Sequence, residues 1–461
     1  SMEWIINQYP GIRLTAVARI ICGLGLMLLP LASHAGMSIN DAIQLAQDND
    51  PWLQGSVHRE QALHAQSTAA GAMPDPMVNL GFANLPTDSF DFDQEAMTQF
   101  KVGVTQTLPR GETLGLKQRQ LAVMGTQQPL QRQNRKARVA VSVSHLWLDA
   151  YQAKRTIDLI EDDRALFEQL VDVAESSYAT AVGKTRQTDL VRAQLELTRI
   201  EDRLSVLHER LEMSLAKLGE WLMAAPTAAS GEWHNLATEN FVIPEQLPEI
   251  ALGRPALLNT HHKPDLREIA SNLISHPAIV SLDLKIDASA TGIKIAEQKY
   301  KPQWKLNASY GYRDDDPNGV ARSDFFSVGF SFDVPLFTSN RQDQQVQSAA
   351  AMTEAIRTER ALLLRTMVSS FETQRSRLLR LEDRRALYRT RLLKEIQDQA
   401  DASLTAYTNE EGDFAEVVRS HIAELNARID AFNIDVDRLK TIAQLNYFFA
   451  EAQVKPAGER T

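Results

Sequence analysis

The stretch VGVTQTLP, Val102 to Pro109, decides how the rest of the chain is read. Val102, Val104 and Leu108 fall on one face of an extended strand, and Gly103, Thr105 and Thr107 fall on the other. A period of two marks a strand with two unlike faces. Around it lie long charged segments with a helical period. A short two-faced strand among such helices needs a partner for its apolar side.

The stretch has a counterpart. VGFSFDVP, Val328 to Pro335, matches it at an offset of 226 residues, pairing Val102 with Val328, Gly103 with Gly329 and Pro109 with Pro335. The same offset joins Pro51 to Pro277, Ala62 to Ala288, Ala70 to Ala296, Pro76 to Pro302 and Leu80 to Leu306. One offset held without gaps over about 58 residues is the mark of an internal repeat. Further on, EDDRALF (Glu161 to Phe167) matches EDRRALY (Glu382 to Tyr388) at offset 221, which predicts halves that differ in helix length.

Each half is predicted to hold a helix, a strand pair, a long helix, a turn and a second helix. Val78, Leu80 and Phe82 alternate with Asn79, Gly81 and Ala83. Trp304, Leu306, Ala308 and Tyr310 alternate with Lys305, Asn307, Ser309 and Gly311. Val328, Phe330, Phe332 and Val334 repeat the apolar face. Acidic turns join each pair, Leu85-Pro86-Thr87-Asp88 onward and Asp314-Asp315-Asp316-Pro317-Asn318-Gly319, and read as solvated loops rather than a calcium site. Leu190, Leu197, Leu204, Leu211 and Leu218 recur every seven residues with Ala193, Ile200, Leu207, Ser214 and Trp221. Ile422, Ile429, Val436 and Ala443 do so with Leu425, Phe432, Leu439 and Asn446. Both are coiled-coil seams. The long helices are expected over 110–182, with a kink or restart at Gly125 and Pro129, and over 336–411 without a break.

The boundaries follow: a first repeat over 36–223 with its strand pair at about 76–109, a proline-rich linker over 224–267, a second repeat over 268–450 with strands at about 302–335, and a tail over 451–461. Residues 1–35 read as a signal peptide. Arg13 and Arg19 precede the apolar run Ile20 to Leu31, and Ser33-His34-Ala35 fits a cleavage site. That run holds Cys22, the only cysteine, so no disulfide is expected in the mature chain. The formal net charge of −10 argues against nucleic-acid binding. No nucleophile elbow, phosphate loop or metal-ligand spacing points to an enzyme or a cofactor. His261-His262 reads as exposed and Met73 with Met77 as packing groups rather than metal ligands.

Four strands cannot close a barrel, and an open edge is not tolerated in lipid. If the apolar faces meet lipid, chains must share a barrel: two would supply eight strands, three would supply twelve. Val102, Val104, Val328, Phe330 and Phe332 are then the lipid-facing set. The alternative is a small soluble sheet covered by its own helices.

The tandem halves, the Asn49-Asp50-Pro51 opening, the strand pairs and VGKTRQTDLVRAQ (Val182 to Gln194) together resemble the TolC family of outer-membrane efflux ducts, over nearly all of the mature chain. AGAMPDPMVNLGFANLP and QTLPRGETLGLKQRQLA look most like its heavy-metal branch, the CzcC and CusC type. The resemblance implies a mainly helical protomer with a small β part. It also implies a homotrimer whose twelve strands form a barrel in outer-membrane lipid and whose twelve helices form a periplasmic tunnel. A periplasmic adaptor (membrane fusion protein) and an inner-membrane RND-type pump are the implied partners, and heavy-metal cations or small molecules the cargo. The same duct serving drug efflux or type I protein secretion is the alternative, and a soluble periplasmic coiled-coil protein a remote one. The adaptor would dock at the hairpin tip on Val182, Gly183 and Asp189, with Gly412 in the matching place. The second tip departs from the family's paired aspartates: Glu416 and Arg419, or Val418 and His421, stand there. Glu410, Glu411, Asp413 and Glu416 are the candidate lumen constriction, with a solvated helix end as the alternative.

Overall fold

The computed structural model describes residues 37–180, 186–224, 234–235, 242–258, 264–409 and 411–453. All belong to one compact unit, Gly36–Thr461. The predicted signal peptide, Val182, Gly183, His261, His262 and Glu410 lie outside the described residues.

The first half runs α1 (Ile39–Asp48), α2 (Pro51–Ala70), β1 (Met77–Ala83), β2 (Gln99–Thr107), α3 (Thr113–Ala179) and α4 (Gln187–Leu222). Two short strands, β3 (Met223–Ala224) and β4 (His234–Asn235), pair within the linker. The second half runs α5 (Leu266–Leu273), α6 (Pro277–Glu297), β5 (Trp304–Tyr312), β6 (Phe325–Phe332), α7 (Gln342–Leu387), α8 (Leu393–Thr408) and α9 (Phe414–Phe448), with a π turn over Tyr388–Leu392 between α7 and α8.

The one helix expected ahead of each strand pair is two. The breaks fall before Pro51 and Pro277. A proline biases the preceding residue to extended backbone and suits the first helical position. Asp50 caps α2 by accepting the Trp52 N–H at 3.0 Å, and His276 caps α6 by accepting the Ala278 N–H at 3.2 Å.

The restart expected at Gly125 and Pro129 is absent: α3 is a single helix of 67 residues through Pro129. Helix α2 lies along it and braces that region. Ser56 donates to the Gln128 side chain at 2.9 Å, Arg132 donates to Ser56 at 3.3 Å, and α2 passes beside Gly125 at His64 and Leu63. Tertiary packing outweighs a proline penalty of about 3 kcal/mol. The run Gln342–Thr408 is as long as α3, so the halves do not differ in helix length here. EDDRALF and EDRRALY sit at different heights on these two helices, and their likeness carries no register.

The sheet is antiparallel throughout, in the order β1-β2-β5-β6. Each strand continues a helix, and the helices keep the same lateral order: α2 packs on α3, α3 on α6, and α6 on α7. Farther from the sheet, α4 takes the place beside α3, and α9 lies between α3 and the α7–α8 run. The chain is thus a row four elements wide along its whole length.

Three apolar clusters hold the row. Farthest from the sheet, Ile160, Phe167 and Leu170 of α3 meet Ile200 and Leu207 of α4 and Phe414, Leu425 and Ile429 of α9. In the middle, Trp147 stacks on Tyr151 at 5.4 Å among Leu218, Leu222, Val436 and Leu439. The third joins Phe371 and Leu378 of α7 to Ile269, Ile442 and Leu445. Both predicted seams therefore reach the core. The described stretch of the linker around 243–250 is strapped down: Ile243, Leu247 and Ile250 cover the middle cluster, and the Tyr151 hydroxyl donates to the Glu245 carbonyl at 3.1 Å.

His276 is fully buried, with Nε2 donating to the Tyr447 carbonyl at 3.0 Å and Nδ1 accepting from Ala278. The Nδ1 bond requires the neutral ring, because a protonated Nδ1 cannot accept, and burial pushes its pKa down to about 4. The unfolded imidazole, near pH 6.5, gains its proton first as acid is added. Stability from this group is complete above about pH 6.5 and is lost as pH falls toward 4, by up to about 3 kcal/mol. We expect the thermal midpoint of the detergent-solubilised protein to fall across that window. His276→Asn, which keeps a capping acceptor without the titration, flattens the slope.

Candidate functional site

The register assigns each side chain of the sheet to a face. Residues opposite one another in an antiparallel sheet point the same way. Across the middle, Val78, Val104, Ala308 and Val328 form one row, and Leu80, Val102, Tyr310 and Phe326 form the next. Phe82, Phe100 and Tyr312 close the row at the loop end, and Trp304 with Phe332 at the helix end. Gln106 is the one polar side chain among these rows, and it donates to the Pro74 carbonyl at 2.8 Å. The opposite face carries Asn79, Gly103, Ser309 and Ser327 in one row and Thr105, Asn307 and Gly329 in another.

This apolar face is bare. Leu80 is 68% exposed and Phe330 is 72% exposed. Val102, Val104, Val328 and Phe332 are exposed on the same face. No described helix packs across the sheet, so the soluble arrangement with a covered sheet is not the one adopted. Aromatics mark both ends of the band, and the central row is Val78, Val104, Ala308 and Val328, with Leu80, Leu306, Tyr310, Phe326 and Phe330 in the rows beside it. Trp304 packs on Phe332 with ring centroids 4.4 Å apart at one end, and Phe82 on Phe100 at 5.2 Å at the other. From Trp304 to Tyr312 the band measures about 27 Å along the strand, at about 3.4 Å per residue.

Among the described residues, both sheet edges are free. β1 and β6 each pair on one side only. Every backbone group on the outer sides of these strands needs a partner from outside the chain if the strands leave water.

The helix end of the sheet is locked by contacts between the halves. The Arg110 guanidinium pairs with Asp333 and donates to the Lys301 carbonyl at 2.9 Å, and the Gln303 N–H reaches Asp333 at 2.7 Å. Those two donors hold the Asp333 carboxyl below the usual carboxylate range. Gly111, at φ +49°, makes the turn into α3. At the loop end, Phe92 stacks on Tyr312 at 6.2 Å, Arg313 donates to the Ala96 carbonyl at 2.9 Å, and Arg322 to the Asp93 carbonyl at 3.0 Å. Asp316 accepts the Val320 and Asn318 N–H groups at 2.7 and 2.9 Å, which lowers its pKa and makes it a turn former. No described group of three or more His, Cys, Asp or Glu side chains could hold a metal ion.

At the far end, Asp189 is buried and accepts the Arg186 N–H at 2.9 Å, capping α4. The Gly412 N–H donates to the Ala406 carbonyl at 2.9 Å, and a Cβ there would lie 2.6 Å from the Tyr407 nitrogen. The chain's own backbone therefore requires a glycine at 412. Asp413 caps α9 through the Ala415 N–H at 3.2 Å, Glu416 pairs with Arg419, and Glu411 is exposed. Two of the candidate constriction acids are thus engaged locally. Val418 and His421 are buried. The sequence reading missed Phe100, Phe326 and Lys101 as face residues and the Arg110–Asp333 lock. Parity along each strand could have found the first three; the lock joins residues 223 apart.

No protein-family model and no curated protein matches the sequence. Solved structures do match the fold. The chain resembles CusC, described as forming a transmembrane channel, with a TM-score of 0.69 and 13% identity over 91% of this chain and 93% of that one. The outer-membrane protein VceC of Vibrio cholerae gives a TM-score of 0.69 at 13% identity over 90% of this chain and 96% of its own. The CmeC outer-membrane channel of Campylobacter jejuni gives 0.68 at 12% identity over 96% and 94%. At such identity the likeness is one of fold.

The two tip residues are separable by amide exchange. Asp189→Ala is expected to cost about 1 kcal/mol of cap and to speed exchange in the first turn of α4 alone. Gly412→Ala forces the turn apart and speeds exchange at Glu411 and Gly412.

Proposed function

We propose that the chain is a passive exit duct in the outer membrane of a Gram-negative bacterium, extending into the periplasm. The observation that carries this reading is a four-stranded sheet with one continuous bare apolar face and two free edges. Three copies would supply twelve strands, joining β6 of one copy to β1 of the next, and leave a lumen lined by the small polar face. The same three rows would supply a tunnel twelve helices around. Two copies would give eight strands, whose interior side chains would fill.

In this reading no bond is made or broken. An inner-membrane RND-type pump supplies the energy, and a periplasmic adaptor joins it to the hairpin tips around Val182, Gly183, Asp189 and Gly412. Cargo is a heavy-metal cation or a small molecule, and drug efflux or type I secretion would use the same path. We assign Glu411, Asp413 and Glu416, with Glu410 beside them in sequence, to a candidate lumen constriction.

Two outcomes test the reading. The purified mature chain is expected to be a trimer that requires detergent. Val328→Arg, in the middle row of the band opposite Ala308, costs about 2–4 kcal/mol at the bilayer midplane and lowers the yield of trimer in outer-membrane fractions. Ser331→Arg, on the opposite face, leaves it unchanged. Equal loss from both, or a monodisperse monomer in aqueous buffer, overturns the proposal. Gly183→Trp is expected to preserve the trimer while abolishing cross-linking to the adaptor. If it prevents trimer assembly, the docking assignment fails.

A further inference from the structure

The polar face of the sheet carries charge of one sign. Reading the register across it, Met77, Asn79, Gly81 and Ala83 lie on β1, with Gln99, Gly103, Thr105 and Thr107 on β2. Asn307, Ser309 and Gly311 follow on β5, and Phe325, Ser327, Gly329 and Ser331 on β6. The remaining two positions within the strands are Lys101 and Lys305. No strand residue on this face is acidic. Both lysines are exposed, and neither has an ion pair among the described residues.

Their neighbours leave them unscreened. Lys101 lies between Gly81 and Gly311, which have no side chains to approach it. Lys305 lies between Thr107 and Ser331. Two carboxylates continue this face past the strand ends at the helix side: Asp333, which is paired with Arg110, and Asp75, just before β1. Lys101 is opposite Gly311, so the two ammonium groups sit six residues apart along β5, about 20 Å, one near each end of the sheet. The acids of the hairpin loops, Asp88, Asp91, Asp93 and Glu95 with Asp314, Asp315, Asp316 and Asp324, stand beyond the strands, with Arg313 and Arg322 among them.

We infer that Lys101 and Lys305 make the barrel section of the duct selective for anions. This rests on the duct reading, which turns the polar face inward. In a trimer the lysines form two rings of three ammonium groups around a narrow water path with a low-dielectric wall, where fixed charge acts most strongly on passing ions. Free metal cations are then disfavoured in this section. Anionic or neutral cargo, including metals carried as anionic complexes, is favoured.

The detergent-extracted trimer in a planar bilayer under a KCl gradient is expected to give a reversal potential of the sign for chloride preference. Lys101→Glu with Lys305→Glu reverses that sign. A second measurement does not need an open tip. In a chain with Cys22→Ser, S309C places a thiol on the polar face between the rings. It is expected to react about tenfold or more faster with an anionic sulfonatoethyl thiosulfonate reagent than with its cationic trimethylammonium counterpart, relative to a free thiol, and the double lysine variant inverts the ratio. Current of cationic sign that the lysine variants do not shift, or labelling ratios equal to those of a free thiol, overturns the inference and leaves the duct standing. If no current flows and neither reagent reaches S309C, the polar face lines no water path, and both readings fall.

Discussion

The unpaired outer edges of β1 and β6 are the constraint on which the rest of the molecule depends. An apolar sheet face can leave water only if its backbone groups are all bonded, and four strands of one chain leave two rows of them open. A globular protein would cover such a sheet with a helix. Here α2, α3, α6 and α7 instead continue the strands, and no described helix packs across the sheet. In the proposed duct, closure comes from further copies of the chain, each supplying one four-stranded sector.

That sector is uniform along its length. The order β1-β2-β5-β6 passes directly into α2, α3, α6 and α7, and α4 and α9 fill the same lanes farther down. A strand and a helix differ in width, about 4.8 Å between strands against 8–10 Å between helices, so the junction has to reconcile two spacings. The cross-half contacts gather there: Arg110 with Asp333, the Leu108 N–H with the Trp304 carbonyl at 2.8 Å, and Gly111 in a backbone region that other residues resist. The three apolar clusters then hold the helices without help from the sheet.

The tips show how local chemistry competes with functional reading. Asp189 and Asp413 satisfy helix N-termini, and Gly412 lies too close to the backbone at Tyr407 for any side chain. A residue that ends a helix neatly also shapes the surface presented to a partner, so these roles are not opposed. The wall between sheet ends is different in kind. Its glycines, serines and threonines contribute no charge, which leaves two lysines to set the field inside the proposed barrel.

Much of this was legible in the sequence. Period-two alternation placed all four strands within a few residues, because a strand with unlike faces must repeat its chemistry every second position. The heptads placed α4 and α9, and the internal repeat gave the two-half plan. What the sequence by itself could not decide is anything that depends on who lies beside whom. Pro129 reads as a helix stop until α2 is seen bracing it. EDDRALF and EDRRALY read as aligned until the equal helices put them at different heights. Asp50 and His276 occupy the same place in the repeat, yet one is ion-paired to Arg135 at 2.7 Å and the other is buried neutral against Tyr447, a difference fixed by their surroundings. Alternation separated a strand's two faces, but only the cross-strand register brought Lys101 opposite Gly311 and showed that no acid of the sheet stands near it, because side-chain neighbours in a sheet are set by pairing between segments some 200 residues apart.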